Sequence, residues 1–325
     1  MHSRTRRTLL NGLIAAILMI TAGWAMPAWL LFTVTKAFGY GLVALGIVTL
    51  MRGGLVSFGQ GLVYCVGAYA AGLLATRAGI TDAPLLLLVA MAASGLVGLV
   101  VGPLIARYRG IFFAILTLAI SMVLYGVLIK TKGIGGSDGF TLPEPSFLGW
   151  QPGSESSDLA LYVTAALVVA VVGTMARLYY DSMAGHLALA VRENELRVEY
   201  LGASVFRITV RNFFIAAVLG GLGGALNGMA TGHIDPFYSF WTTSGEFVFI
   251  SVLAGYLSVP AVFASSLILE VVRSFSNLYF PETWHLVLGT FLIATIIFLP
   301  NGLGSLGRRL RDRKVAGPPR QDAEK

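Results

Sequence analysis

Ser182 to Arg211 reads SMAGHLALAVRENELRVEYLGASVFRITVR. In a soluble protein its charged centre, Arg192-Glu193-Asn194-Glu195-Leu196-Arg197, would be ordinary. Here it is the one long polar segment with helix character between two apolar blocks, and that contrast sets the class of the molecule. Of 325 residues, 56% are hydrophobic and 12% are charged, with a mean hydropathy of +0.78. Soluble domains carry about 25% charged residues. Repeated apolar runs near the ~20 residues that cross a bilayer point to a helical membrane protein, because only helices and closed barrels satisfy their backbone in lipid. A barrel would show short alternating segments instead.

Working outward, the expected spans are 9–26, 28–50, 55–76, 83–106, 110–130, 158–179, 210–231, 244–258, 259–276 and 284–300. Those near 55–76 and 244–276 are rich in Gly, Ser or Pro and read as broken or re-entrant. The fold class is therefore all-α and polytopic, with about ten transmembrane or re-entrant helices. A cleaved signal peptide is the competing reading of the N-terminal run, since Arg4, Arg6 and Arg7 precede it. The length of that run and the span that follows at once favour a retained helix.

Basic residues set the orientation. With the N-terminus inside, the inner face receives Arg4, Arg6, Arg7, Arg52, Arg107, Arg109, Arg177, Arg192, Arg197, Arg207 and Arg211, and the tail adds seven more, eighteen of the 23 Lys and Arg. Lys36, Arg77, Lys130, Lys132 and Arg273 fall elsewhere. Both termini and the segment 182–211 are thus expected in the cytoplasm. The division is a basic N-terminus (1–8), a membrane domain (9–306) with an outer loop at 131–157 and an inner loop at 182–211, and a basic tail (307–325) disordered past Ala316.

Several functions are excluded. Cys65 stands alone in an apolar run, so there is no disulfide framework. The four histidines are scattered without metal-ligand spacing, and no metal site is expected. No G-x-x-x-x-G-K followed by Ser or Thr occurs, so the chain has no P-loop of its own. The charge distribution argues against nucleic acid despite the net +7.

Within the inner loop, composition favours one helix from Leu187 to Leu201, stopped by Gly202. Leu187, Val191, Val198 and Leu201 fall on one face, with Asn194 its only polar member. Glu193 and Arg197 have the favourable i,i+4 order. A mixed-sign polar face suits a groove on another protein better than a lipid surface. The apolar face is expected against the chain's own spans, leaving Arg192, Glu193, Glu195, Arg197 and Glu199 for a partner. A plain solvated connector is the alternative.

Five stretches, in order, carry a family resemblance. Gly54-Leu55-Val56-Ser57-Phe58-Gly59-Gln60 with Gly67-Ala68-Tyr69-Ala70-Ala71 is similar to G-L-x-S-x-G-H/Q and G-A-Y-x-A. Arg109-Gly110-Ile111-Phe112-Phe113-Ala114-Ile115-Leu116-Thr117-Leu118-Ala119 resembles R-G-x-Y/F-F-A-x-L-T-L-A. Gly135-Gly136-Ser137-Asp138-Gly139 resembles a T-G-G-x-x-G loop. Ala190-Val191-Arg192-Glu193-Asn194-Glu195, then Leu201-Gly202, resembles A-x-R-E/D-N-E with a following L-G. Phe298-Leu299-Pro300-Asn301-Gly302-Leu303-Gly304 resembles the closing F/L-x-P-x-G-L-x-G. Together they resemble the LivM-type branch of the branched-chain amino acid ABC transporter permeases. One departure stands out: where the family has Gly-Gly after Val252-Leu253, this chain has Ala254-Gly255-Tyr256. Fewer glycines imply a less close backbone approach there.

The resemblance implies a permease subunit of an ATP-driven importer in the bacterial inner membrane, not itself an enzyme and binding no cofactor. Its implied partners are a second permease, two cytoplasmic ATPase subunits that use the ATP, and a periplasmic solute-binding protein. The inner helix (Arg192, Glu193, Asn194, Glu195, Arg197, Glu199, Gly202) would couple to the ATPases, and Gly135, Gly136, Ser137, Asp138 and Gly139 would face the binding protein, although Gly-Ser-Asp-Gly is also ordinary turn composition. Polar residues inside spans tend to face the bundle interior or a cavity. Ser57, Gln60 and Tyr64 form one stripe, Thr117, Ser121 and Tyr125 another, and Asn227 adds an amide; they read as a mostly neutral translocation path, or alternatively as hydrogen-bonded packing between helices. Glu270 and Arg273, spaced i,i+3, are expected to pair. Lys36, about 12 Å from the end of its span at 1.5 Å per residue, is expected to snorkel outward. A urea or short-amide permease shares most of these motifs. A secondary transporter needing no ATPase would require coupling acids in the spans, for which Glu270 is the one strong candidate.

Overall fold

The computed structural model describes residues 2–279, 281–298 and 302–305. The basic tail at 307–325 and Leu299-Pro300-Asn301 of the closing motif lie outside the described residues. The helices are α1 (His2–Gly23), α2 (Ala28–Met51), α3 (Gln60–Ala78), α4 (Ala83–Ile105), α5 (Gly110–Lys130), α6 (Ser154–Tyr180), α7 (Met183–Glu193), α8 (Glu195–Tyr200), α9 (Val205–Thr231), α10 (Trp241–Ala254), α11 (Val259–Tyr279) and α12 (Trp284–Phe298). Among the described residues the sheet is one short ribbon: β1 (Phe140–Thr141) runs antiparallel to β2 (His233–Ile234), with Phe140 opposite Ile234.

The all-α polytopic class holds. Seven helices, α2 to α6, α9 and α11, are long and apolar enough to cross a membrane. Three expected spans differ. Helix α1 already starts at His2, so the N-terminal arginines belong to its first turns. Helix α10, at 14 residues, and α12, at 15, fall short of the ~20 residues a perpendicular crossing needs.

Helices α2 and α9 form the centre and are the most enclosed of the spans, followed by α3. The reason is their small residues, which let backbones approach closely. A Cβ on Gly67 would stand 2.3 Å from Gly221 Cα, and one on Gly223 would stand 2.4 Å from the Gly39 carbonyl oxygen. Helices α4, α5 and α6 are mostly uncovered, and side chains such as Leu96, Ile111, Phe112 and Met175 point outward as a lipid-facing surface requires.

Both expected breaks are present. The chain leaves helix at Arg52 and re-enters only at Gln60, with Leu55, Ser57 and Gly59 buried in between. The second break lies at Gly255–Ser258, where Gly255 adopts a φ of 72°. The expectation of looser backbone approach there is corrected. A Cβ on Gly302 would stand 2.7 Å from Gly255 N, and Leu303 N donates to the Leu253 carbonyl at 2.8 Å. The remaining glycine and the returning strand of chain keep the approach close.

These breaks gather one end of the bundle. The ends of α2, α4, α6 and α10 and the starts of α5, α9 and α11 meet there with α7 and α8, whereas α3 starts deeper, with Gln60 beside Gly220 midway along α9. Arg52, Arg107, Arg109, Arg192, Arg197, Arg207 and Arg211 collect at this basic end. The opposite end carries the β1–β2 ribbon and the segment 131–153, tied down by Arg77 donating to the Gly133 carbonyl and by Ala83 N donating to Ser146 O at 2.8 Å.

Candidate functional site

At the basic end the expected single helix is an elbow of two. Ser182 Oγ caps α7 by accepting from Gly185 N, and Asn194 then takes an extended conformation (φ −161°, ψ 105°). Asn194 Oδ1 accepts from Arg197 N at 2.9 Å and starts α8. A side chain that can cap a new helix competes with continuing the old one, which is why asparagine breaks this segment. Gly202 (φ 84°) ends α8, and Ser204 Oγ caps α9 through Arg207 N.

The break divides the apolar face. Ala188, Val191 and Val198 bury against Val205 and Ile208, with Leu187 packed alongside. Leu201, expected on the same face, is instead 80% exposed, because the elbow resets the helical phase after Asn194. With Leu196 (65%) and Tyr200 (89%) it leaves an apolar patch on α8 that faces away from the bundle.

Two of the expected partner-facing charges are engaged within the chain. Glu195 Oε2 accepts from Arg109 Nε at 3.0 Å, with side chains 42% and 30% exposed. The Arg192 guanidinium lies 3.7 Å from the centre of the Tyr256 ring. Glu193, Arg197 and Glu199 are exposed. Arg52 donates to the Tyr256 carbonyl at 3.1 Å and stacks on Tyr180, whose hydroxyl lies 2.8 Å from Thr49 Oγ1. Burial pulls the Arg52 guanidinium below its ordinary pKa. Tyr256 therefore ties the elbow and the first break to the corner between α10 and α11. It directly follows Ala254-Gly255, which stand where the family pattern has Gly-Gly, and an aromatic residue at a span end was the signal available for it.

Of the seven residues read as a path, three hold backbone and a fourth packs against a ring. Ser57 Oγ accepts from Gly59 N, Thr117 Oγ1 accepts from Phe58 N, and Ser121 Oγ donates to the Ser239 carbonyl at 2.7 Å. Tyr125 packs its ring 4.8 Å from that of Phe240. The other three sit in the α2–α3–α9 seam. Gln60, Tyr64 and Asn227 are all enclosed, and the Gln60 amide makes no hydrogen bond. Both stripes meet around the start of α3, where a Cβ on Gly59 would stand 2.2 Å from the Thr117 carbonyl.

At the opposite end Gly135, Gly136 and Gly139 all take positive φ. Ser137 Oγ donates to Asp138 Oδ1 at 2.9 Å, forming an exposed turn that leads into β1.

Toward the same end, inside the bundle, lies a cluster that sequence reasoning resolved only in part. Lys36 does not snorkel: its Nζ is 2.9 Å from Glu270 Oε1. Arg273 Nη1 lies 2.9 Å from Glu246 Oε2 and 3.9 Å from Glu270 Oε2, and it donates to the Tyr40 hydroxyl at 2.9 Å. The expected Glu270–Arg273 pair is thus the longest link in a quartet drawn from α2, α10 and α11. A charge inside a span avoids lipid either by reaching water or by finding an internal partner, and here the partner is one helix away. Glu246 escaped notice in the sequence; a charge balance over the spans, with Lys36 and Arg273 set against Glu270 alone, would have called for it.

The family model for the branched-chain amino acid transport system permease component matches residues 29–296. The chain is 29% identical over 318 residues to the high-affinity branched-chain amino acid transport system permease protein LivM of Salmonella typhimurium, covering 89% of this chain and 74% of the relative. It is 27% identical to the corresponding LivH protein of the same organism (85% and 93% covered). It is 28% identical to BraD of Pseudomonas aeruginosa (83% and 92% covered). No solved structure matches.

Proposed function

The chain belongs to the branched-chain amino acid transport system permease family, a group of multi-pass bacterial inner-membrane proteins, and on that premise we propose that it is one permease subunit of an ATP-driven importer. It pairs with a second permease to form the pathway for branched-chain or related amino acids. Two separate ATPase subunits act on it from the cytoplasm, and a periplasmic binding protein delivers solute to the opposite end. The excess of arginine at the basic end supports a cytoplasmic location for that end and for both termini.

The elbow carries this reading. An apolar patch of Leu196, Tyr200 and Leu201 at the charged end of a membrane protein marks a protein contact rather than a lipid one. A pull on α8 reaches the spans by three routes: through Glu195–Arg109 to the start of α5, through Arg192–Tyr256 to the α10–α11 corner, and through Val198 and Ile208 to α9. ATPase closure acting on two such elbows would move these helices together. The test is co-purification of the ATPase subunits with the permease. Leu196→Asp combined with Tyr200→Asp should lower recovery of the ATPases at least tenfold while membrane insertion and melting temperature stay as in the wild type. Undiminished recovery would contradict this docking role.

A further inference from the structure

We infer that Lys36, Glu246, Glu270 and Arg273 form a station where a zwitterionic amino acid exchanges its ammonium and carboxylate into existing ion pairs. This rests on the permease reading above and deepens it by naming the solute's charge class. Four observations carry it.

The quartet is electrically balanced, with two cations and two anions on three helices, α2, α10 and α11, that carry no other charge. Charged side chains in such a position are costly, and well-packed apolar residues would hold three helices together as well or better. Structural need alone is therefore a poor reason for four of them. The cluster is also partly accessible: the side chains of Lys36, Glu246 and Arg273 are 16%, 14% and 26% exposed, whereas Glu270 at its base is 5% exposed.

At that base Glu270 Oε2 accepts no hydrogen bond and stands 3.9 Å from Arg273 Nη1. An enclosed carboxylate oxygen without a donor is an acceptor in reserve, of the kind an ammonium group satisfies. Both cations meanwhile lie against the Tyr40 ring, with Lys36 Nζ 5.9 Å and the Arg273 guanidinium 5.6 Å from its centre. The ring and its hydroxyl keep the cations partly satisfied when a carboxylate turns away from them.

The exchange is then balanced. A bound α-amino acid places its carboxylate on Arg273 and Lys36 and its ammonium on Glu246 and Glu270, so the three existing ion pairs give way to new ones without leaving an uncompensated charge. Phe247, whose ring is 5.4 Å from that of Tyr40, adds an apolar wall for an aliphatic side chain. A neutral amide or urea has no charges to exchange, so this station selects against it.

The test uses the purified permease–ATPase complex without binding protein. Binding of radiolabelled L-leucine is measured by equilibrium competition against unlabelled leucine and against 4-methylpentanoate, which keeps the side chain and carboxylate but lacks the ammonium. The wild type should bind leucine saturably and at least tenfold tighter than 4-methylpentanoate. Glu270→Gln should shrink that preference at least tenfold, and Glu246→Gln, read by the same ratio, serves if Glu270→Gln does not assemble. A merely structural quartet would weaken both ligands together and leave the ratio unchanged, which overturns the inference. So does absence of saturable leucine binding in a complex that performs ATP-driven leucine uptake. A complex with no ATP-driven uptake of any solute would instead contradict the permease reading itself.

Discussion

The elbow at the basic end and the quartet toward the other end use the same residue types in opposite ways. At the elbow Arg109 and Glu195 are partly exposed, and Arg192, itself exposed, lies over the Tyr256 ring. Such contacts are worth about 0–1 kcal/mol each. In the quartet Glu270 is almost wholly enclosed at 5% exposure, while Lys36, Glu246 and Arg273 retain 16%, 14% and 26%. Removing one member of a buried pair costs about 3–5 kcal/mol, because the remaining charge is left uncompensated. Charge at the elbow can therefore be made and broken at little cost. Charge in the quartet can be rearranged only if an incoming group replaces what is lost.

The largest effect expected from this contrast is in the quartet. Glu270→Gln should destabilise the protein by about 3 kcal/mol, read from unfolding in detergent. Adding Lys36→Met in the same chain should recover most of that loss, since the orphaned ammonium is removed too. If the double variant is as unstable as the single, the cost lies in packing and the contrast fails.

Tyr256→Ala should cost less, about 1 kcal/mol for the lost stacking with Arg192, and its main effect should fall on coupling. ATP hydrolysis by the assembled complex should continue while solute uptake per ATP drops several-fold. Equal loss of both activities would mean that Tyr256 supports assembly and not transmission. The smallest effect is expected for Glu195→Gln. It should lower stability by under about 1 kcal/mol, with the difference from wild type vanishing at high salt, as a half-exposed ion pair requires.

Much of the architecture was legible in the sequence because it is local. Apolar runs mark the spans, and the Gly- and Ser-rich stretches around Gly54–Gln60 and Gly255–Ser258 announce the breaks. The glycines of α9 signal the close packing found against Gly39 and Gly67. What was not legible depends on competition or on distance. At Asn194, helix propensity over Leu187–Leu201 lost to side-chain capping, so one expected helix became two and Leu201 turned outward. The partners of Lys36 and Arg273 lie more than 200 residues away or on a third helix, and no spacing rule connects Lys36 to Glu270 or Arg273 to Glu246. For the candidate path, spacing marked which residues share a face. It could not separate those that hold backbone, such as Ser57 and Ser121, from those enclosed in the central seam, such as Gln60.

The most direct measurement of the central claim is amino acid uptake into sealed vesicles that contain either this chain alone or the chain with its partner permease, ATPases and binding protein. Uptake of L-leucine should require the complete assembly and ATP, and should stop when the ATPase subunits are left out. Leucine accumulation in vesicles holding this chain alone would contradict the account.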